Sequence, residues 1–120
     1  MENVNETSTL IAGAKVAGTY VFNPDGDNIG EINDVMIDKR SGKVAYAVMS
    51  FGGFLGIGQD YHPLPWSLLK YDTSLGGYVV DLSKSQLEKA PAVKDAAFPM
   101  GDRAFETELH DYYGVGPYWM

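Results

Sequence analysis

Short apolar runs separated by turn-forming residues fill the chain between Gly13 and Leu82. Asn, Pro, Asp and Gly cluster between the runs, and these residues favour the tight turns that reverse a chain. Closely spaced strands of this kind predict a small barrel or sandwich rather than alternating strand and helix units. The first prediction is therefore an all-β fold, built from the runs KVAGTYVF, IGEINDVMID, VAYAVMSF, YHPLPW, SLLKYD and YVVDLS.

The run VAYAVMSF, residues 44–51, is apolar on both of its alternating faces. Successive side chains of a strand point to opposite sides, so both sides of this strand should be buried. One face can fill the interior of a barrel. The other face needs a helix, a packed segment or a second subunit to cover it.

In the preceding run, residues 28–38, the alternation of apolar and polar positions does not hold through. Ile32 belongs to one face, whereas Val35 and Ile37 belong to the other. One extra residue in a strand shifts the register and bends the strand. We therefore predict a β-bulge near Asn33.

Two helices are predicted after the last strand. Ser83 and Gln86 have the spacing of a capping box, and Pro91 prevents the first helix from continuing. Asp102 can cap a second helix of about residues 102–113, with Phe105, Leu109, Tyr112 and Tyr113 on one stripe and Gly114 at its end. The expected organisation is a flexible N-terminal tail (1–12), a barrel domain (13–91) and a C-terminal arm (92–120).

The amino-acid composition restricts the classes of binding partner and the cellular location that we expect. The 120 residues fit one domain, and their net charge of −7 repels a phosphate backbone, so we expect no nucleic acid as a partner. Cysteine is absent, and no apolar stretch approaches the length of a membrane span. The expected location is cytoplasmic, without membrane insertion.

Few residues of the chain are candidates for a catalytic, phosphate-binding or metal-binding site. The glycine loop FGGFLGIGQDYHPLPW, residues 51–66, is followed by Pro63 and Pro65 instead of the helix start that a phosphate site needs, so it is interpreted as a corner before an edge strand. His62 and His110 are too few for an imidazole metal site and are expected at the surface or in hydrogen bonds. We predict no catalytic residue, no metal and no cofactor, and hence no enzyme.

Large apolar and aromatic side chains form the candidate interaction surface. Some lie on the glycine loop, where they are either exposed together or folded onto the barrel mouth. Others lie in the C-terminal DYYGVGPYW, where they either clamp the arm onto its own core or contact a second chain. The candidates are Phe51, Phe54, Leu55, Ile57, Trp66, Tyr112, Tyr113, Tyr118 and Trp119.

The segment from about residue 14 to residue 83 resembles the PRC-barrel family, which is named for the cytoplasmic domain of the photosynthetic reaction centre H subunit. The tail DYYGVGPYW resembles that of small stand-alone bacterial members. The resemblance implies a small, partly open antiparallel β-barrel and transfers no catalytic residue. It depends on Gly18, Val21, Gly26, Gly30, Ile32, Asp34, Val35, Asp38, Gly42, Val44, Tyr46, Val48, Phe51, Gly52, Gly53, Pro65 and Trp66.

Fold and surface together suggest a non-catalytic protein–protein interaction or scaffold module that forms a homodimer. The alternative is a small-ligand or stress-response sensor that uses the barrel mouth. The resemblance also suggests an accessory role in ribosome assembly, because ribosome maturation factors carry a similar barrel. In those factors the barrel follows a separate N-terminal domain, which we do not expect in this chain, so this role is the less favoured one.

Overall fold

The computed structural model describes residues 10–51, 60–92 and 102–119. Within them the chain forms strands β1 to β6 and helices α1 to α3, with a short 3-10 turn between β4 and β5. In chain order these are α1 (Gly13–Val16), β1 (Tyr20–Phe22), β2 (Asn28–Ile37), β3 (Val44–Phe51), β4 (Asp60–Pro65), the turn Trp66–Leu68, β5 (Lys70–Asp72), β6 (Gly77–Val79), α2 (Lys84–Glu88) and α3 (Arg103–Tyr113).

The strands form one six-stranded sheet in the order β4-β3-β2-β1-β6-β5. The prediction of a mostly β fold is confirmed. The pairings are antiparallel except that of β1 with β6, which is parallel, so the prediction of a purely antiparallel sheet is wrong at this position. The link of residues 66–69 causes the difference, because it carries the chain to the far edge of the sheet instead of adding the next strand by a hairpin.

The same link shows that the sheet is strongly curled. Pro65 ends β4 at one edge and Lys70 begins β5 at the other. An extended chain advances at most about 3.6 Å per residue, so the link spans less than about 18 Å. A flat six-stranded sheet would hold its edges about 24 Å apart. The sheet therefore bends its edges toward each other, but no pairing joins β4 to β5 in the described ranges, and the sheet is not closed into a barrel.

Local sequence signals for bends and turns are confirmed. The register between β2 and β3 shifts between Ile32 and Asp34, where the bulge is predicted. Gly26 and Gly42 have φ angles of 87° and 77°, the left-handed conformation that each hairpin turn requires. Asn23 also stabilises the first turn, since its side-chain oxygen accepts from the backbone N–H groups of Asp25 and Asp27.

The first predicted strand begins later than expected. Residues Gly13–Val16 form α1, and only Tyr20–Phe22 of the run KVAGTYVF pair as a strand. The turn of helix ends at Val16, whose side chain lies in the main core and is 6% exposed. Residues 1–9 of the predicted tail lie outside the described residues, whereas Ile11 packs half-buried against the core.

The concave side of the curled sheet encloses the main core. Val21, Ile32, Met49 and Leu64 come from successive neighbouring strands and are fully buried. Leu87 of α2 joins the same cluster. The capping box predicted for α2 is confirmed, since Ser83 accepts from the Gln86 N–H and Gln86 accepts from the Ser83 N–H.

Helix α3 covers the outer face of β3. Asp102 caps its start by accepting from the Phe105 N–H, and Gly114 ends it in the left-handed conformation with φ 68°. Leu109 is fully buried against Ala45 and Tyr46 of β3, forming a second, smaller core. The second face of this strand is therefore covered by a helix of the same chain. None of the helices in the described ranges is long and apolar enough to cross a membrane.

The buried stripe of α3 differs from the predicted one. Phe105 is half-buried and Tyr112 is 41% exposed, whereas Glu106 and His110 are buried. The helix is thus rotated toward two ionisable residues. Both side chains can be buried because they form hydrogen bonds, His110 with Tyr46 of β3 and Glu106 with Tyr118 near the C-terminus.

Candidate functional site

Four polar side chains and one arginine meet where α3 lies on β3; we call them the arm network: Tyr46, Arg103, Glu106, His110 and Tyr118. Tyr46 projects from β3, and its hydroxyl lies 2.7 Å from His110 Nε2. The Tyr118 hydroxyl donates to Glu106 Oε1 at 3.0 Å, and Arg103 Nε lies 3.4 Å from Glu106 Oε2. The network therefore joins β3, α3 and the segment that follows α3. From here on, the arm means this last segment, residues 114–119.

The donors and acceptors of this network have a definite order. A carboxylate only accepts hydrogen bonds, so in the hydrogen bond between Tyr46 and Glu106 the Tyr46 hydroxyl is the donor. Its contact with His110 then requires the imidazole Nε2–H to donate to the Tyr46 oxygen. In the neutral ring, Nδ1 consequently carries the lone pair. This buried nitrogen has no hydrogen-bond partner among the described residues.

Burial and the Glu106 charge together hold Tyr46 in its neutral form. Desolvation is the larger cause that raises the pKa of Tyr46 far above its usual range, and the negative charge of Glu106 raises it further. The pKa of Tyr118 is also raised, first by desolvation and then by its hydrogen bond to Glu106. Both tyrosines therefore act here as stable hydrogen-bond donors rather than as bases.

Aromatic contacts fix the C-terminal arm to its own chain. The Tyr118 ring meets Tyr46 edge-on with centroids 5.4 Å apart. The Arg103 guanidinium lies 3.7 Å from the Trp119 ring centre, and Trp119 also contacts His110 edge-on at 5.3 Å. Of the two roles that the sequence left open for the arm, docking on its own chain is present in the structure.

A cavity of about 210 Å³ lies between this arm and the end of β4; we call it the arm cleft. Its walls come from three places along the chain: the start of β3, the turn after β4, and α3 with the arm. Trp66 and Tyr118 supply aromatic surface, and His110 supplies a buried polar side chain. The lining residues are Val44, Ala45, Pro65, Trp66, Ser67, His110, Gly116 and Tyr118.

The structure brings together only part of the predicted interaction surface. Trp66 and Tyr118 line the arm cleft, and Trp119 lies beside it on Arg103. Tyr112 lies apart, where its hydroxyl donates to the Gln86 carbonyl at 2.6 Å and joins α3 to α2. Tyr113 packs half-buried against both cores.

The remaining predicted residues belong to the glycine loop and its start. Phe51 is half-buried and contacts the His62 ring edge-on at 5.5 Å. His62 itself is buried in β4, which lies at the edge of the sheet as Pro63 and Pro65 predicted. Phe54, Leu55 and Ile57 lie outside the described residues.

Sequence reasoning missed the polar residues at the centre of the site. Glu106 and His110 are one helical turn apart, and with Leu109 and Tyr113 they complete an i, i+3, i+4, i+7 stripe. That spacing was a usable signal, but charged residues seldom occupy a buried stripe. In the apolar run 44–51, Tyr46 counts as one apolar position among several, although a buried tyrosine hydroxyl needs a hydrogen-bond partner.

Within the described ranges, no group of three or more His, Asp or Glu side chains is arranged to hold a metal ion. The arm cleft offers aromatic surface from Trp66 and Tyr118 beside the hydrogen-bonded side chains of the arm network. These features suit the binding of a partly apolar group.

Comparison with known proteins identifies the scaffold. The PRC-barrel domain profile matches residues 8–87, which extends the resemblance drawn from the sequence at both ends. The chain is also similar to an uncharacterized protein of Deinococcus radiodurans, with 27% identity over 109 residues. This match covers 91% of the chain but 35% of the Deinococcus protein, so the chain spans about a third of the length of that relative. The profile match includes every strand of the curled sheet and most of the described residues, and we conclude that the chain belongs to the PRC-barrel family.

Proposed function

We propose that this protein is a non-catalytic protein–protein interaction module that binds its partner at the arm cleft. The curled sheet acts as the partly open barrel of the family and supplies one wall, and the C-terminal arm supplies the other. The observation that carries the proposal is the meeting of Trp66, His110 and Tyr118 around one cavity. Trp66 lies far along the chain from His110 and Tyr118, and together the three side chains give the amphipathic surface that protein interfaces favour.

The arm is held in place before any partner arrives. Its two aromatic rings are fixed by a hydrogen bond to Glu106 and by stacking on Arg103. A surface that is already ordered loses less conformational entropy on binding, so more of the contact energy appears as affinity. The arm network thus supports a binding role by preorganising one wall of the cleft.

The test blocks the cleft without disturbing the fold. Ser67 lines the cleft and is exposed, so Ser67→Phe should fill it, while Ser85→Phe places the same ring on exposed α2 as a matched control. Both variants and the wild type are used to capture cross-linked proteins from native cells. We expect the Ser67 variant to lose a partner that the wild type and the Ser85 variant retain. Retention of every partner by all three proteins would reject the arm cleft as the docking site.

Homodimerisation is a second part of the proposal and needs its own surface. Because α3 covers the outer face of β3, that strand no longer requires a second subunit. Tyr20 of β1 and Ile37 of β2 are 51% and 56% exposed, so they offer apolar surface of the sheet to another copy. Sedimentation velocity should show a dimer at high micromolar concentration that Tyr20→Lys weakens. A monomer at every concentration would contradict this part.

A small-ligand role is the second candidate, and the arm cleft is the observation that favours it. Within the curl of the sheet, Trp66 packs edge-on against Tyr78 with centroids 5.3 Å apart, which fills part of the space that a ligand would need. A ligand would therefore enter between the arm and the sheet rather than inside the curl. Binding of a small molecule by the isolated protein, with no partner lost in the Ser67 variant, would favour this role.

A further inference from the structure

We propose that the partner segment that docks at the arm cleft is acidic, with an apolar side chain in the cleft and carboxylates on the turn that joins β2 to β3. This inference rests on the proposed function and adds the charge of the partner. It depends on a cluster of basic residues beside the cleft. We call this cluster the basic turn, residues 38–43, with the sequence DKRSGK.

The basic turn has the opposite sign of charge to the chain as a whole. It carries Lys39, Arg40 and Lys43, a third of the nine basic residues of a chain whose net charge is −7. All three residues are exposed. The turn contains one acidic residue, Asp38, so its own charge is positive.

Hydrogen bonds hold this acidic residue inside the turn. The Asp38 carboxylate accepts from the Ser41 hydroxyl at 2.8 Å and from the Arg40 backbone N–H at 3.2 Å. The bond to Ser41 is the largest of the causes that lower the pKa of Asp38. The Asp38 N–H also donates to the Lys43 carbonyl at 2.8 Å, which closes the turn. The basic residues are therefore presented on an ordered backbone, which limits the entropy lost on binding.

Two observations place the basic turn at the rim of the arm cleft. Lys43 directly precedes Val44, which lines the cleft. At the other end of the turn, Asp38 lies near Tyr118, another lining residue. The pKa of Tyr118 is raised first by desolvation, and the negative charge of Asp38 contributes to the same shift. A segment that enters the cleft therefore passes close to the basic turn.

The cleft itself does not oppose a carboxylate. None of the described residues that line it is acidic. Beside it, the buried Glu106 is paired with Arg103 at 3.4 Å. Charges are screened over about 8 Å at physiological ionic strength, so a docked segment responds to the basic turn more than to the net charge of the whole chain. Carboxylates are the groups that this rim favours.

The size of the cleft leaves most of the segment on the rim. Pockets for drug-sized molecules begin at about 300 Å³, whereas the arm cleft has about 210 Å³. It can hold one apolar side chain between Trp66 and Tyr118, and the rest of the segment stays outside. Charge complementarity at such a rim contributes specificity and speed of association more than affinity.

The experiment selects binders without knowing the partner. Random dodecapeptides displayed on phage are selected on the full-length protein, and peptides that also bind Ser67→Phe are removed. We expect the remaining peptides to share one large apolar residue and to carry more carboxylates than basic side chains. The enriched peptides are then synthesised, and their affinities are measured by fluorescence anisotropy.

Two variants with the same net charge assign the effect to the basic turn. Lys39→Glu with Arg40→Glu reverses two charges beside the cleft, whereas Lys84→Glu with Lys89→Glu reverses two exposed charges at α2. We expect the first variant to bind the selected peptides about tenfold more weakly than the wild type, and the second to bind them as the wild type does. Added salt should weaken binding to the wild type more than binding to the first variant.

Each outcome separates this inference from the proposed function. The inference is overturned by selected peptides that are neutral or basic, by acidic peptides that bind both charge variants equally, or by the absence of any peptide that Ser67→Phe loses. Loss of the cellular partner in Ser67→Phe would still support protein docking in those cases. If acidic peptides behave as expected but Ser67→Phe keeps every cellular partner, the site for an acidic segment stands and the proposed function fails.

Discussion

At the scale of single residues, two tyrosines with buried hydroxyl groups differ in whether that group has a hydrogen-bond partner. The Tyr46 hydroxyl bonds to both His110 and Glu106, so its burial is compensated. The Tyr113 hydroxyl is buried without a hydrogen-bond partner among the described residues. A buried tyrosine hydroxyl is thus stabilising at position 46 and destabilising at position 113. Desolvating a hydroxyl is unfavourable unless the buried group forms hydrogen bonds.

The two tyrosines give a matched pair of substitutions. We expect Tyr46→Phe to lower the free energy of unfolding by about 2 kcal/mol, since it leaves the polar groups of Glu106 and His110 short of a partner. Tyr113→Phe should leave stability unchanged or raise it by up to about 1 kcal/mol. Urea unfolding of both variants measures the difference. Equal destabilisation by the two changes would contradict this account of the arm network.

Alkaline pH should act through Tyr46. Its pKa in the folded protein lies above the ordinary value of 10.0, so the folded state holds this proton more tightly than the unfolded chain does. The stabilisation is complete below pH 10 and is lost as the pH rises above it, at up to about 1.4 kcal/mol per pH unit for one proton. Urea midpoints measured from pH 8 to pH 11 should fall more steeply for the wild type than for Tyr46→Phe. Identical slopes would show that Tyr46 does not titrate in this way.

At the scale of elements, the close approach of β6 to β1 depends on a residue without a side chain. A Cβ placed on Gly77 would collide with the Tyr20 carbonyl oxygen and lie 2.8 Å from the Phe22 ring. Backbone paired in a sheet has little freedom to move away, so β6 can occupy its place beside β1 only with glycine here. The unexpected parallel pairing therefore has a specific steric requirement.

Replacing this glycine tests the pairing. We expect Gly77→Ala to destabilise the protein by about 2 kcal/mol or more through overpacking. Gly116→Ala is the control, because a Cβ there meets nothing within 4 Å and the position has no positive φ angle. Thermal unfolding of both variants should show a lowered midpoint for the Gly77 variant alone. A Gly77 variant as stable as the wild type would argue against the β1–β6 contact.

At the scale of the whole molecule, the curled sheet has two apolar surfaces and the chain covers both. The concave side encloses the main core, and α3 covers the outer face of β3 through Leu109. The segment after α3 then ties the helix to the sheet, because Tyr118 contacts Tyr46 of β3 and Trp119 lies against Arg103 at the start of α3. The arm cleft exists only because both layers are present.

Removing α3 should therefore change the assembly state. A chain ending at Ala92 would expose Ala45, Tyr46 and half-buried Met36, which form the smaller core with Leu109. Exposed apolar surface of this kind promotes association, so we expect larger species in sedimentation velocity than for the intact chain. A chain ending at Gly114 retains α3 and should sediment as the intact protein does. If the shorter chain behaved likewise, α3 would not be the cover that its packing indicates.

Features that depend on neighbouring residues could be predicted before the fold was known. The bulge near Asn33, the capping box of Ser83 and Gln86, and the turn at Gly26 follow from steric and hydrogen-bond preferences that act over a few positions. The apolar pattern also predicted that β3 would be buried on both faces, and the family resemblance pointed to the same mostly β scaffold.

The contacts between distant parts of the chain become visible in the folded protein alone. Tyr46 and His110 are 64 positions apart, and nothing in the local sequence states that they bond. The parallel pairing of β6 with β1 and the rotation of α3 toward Glu106 likewise depend on contacts between segments that are distant in sequence. The reason is physical: local preferences fix the conformation of a short segment, whereas the burial of a polar group is favourable only when its partner has already been brought within bonding distance.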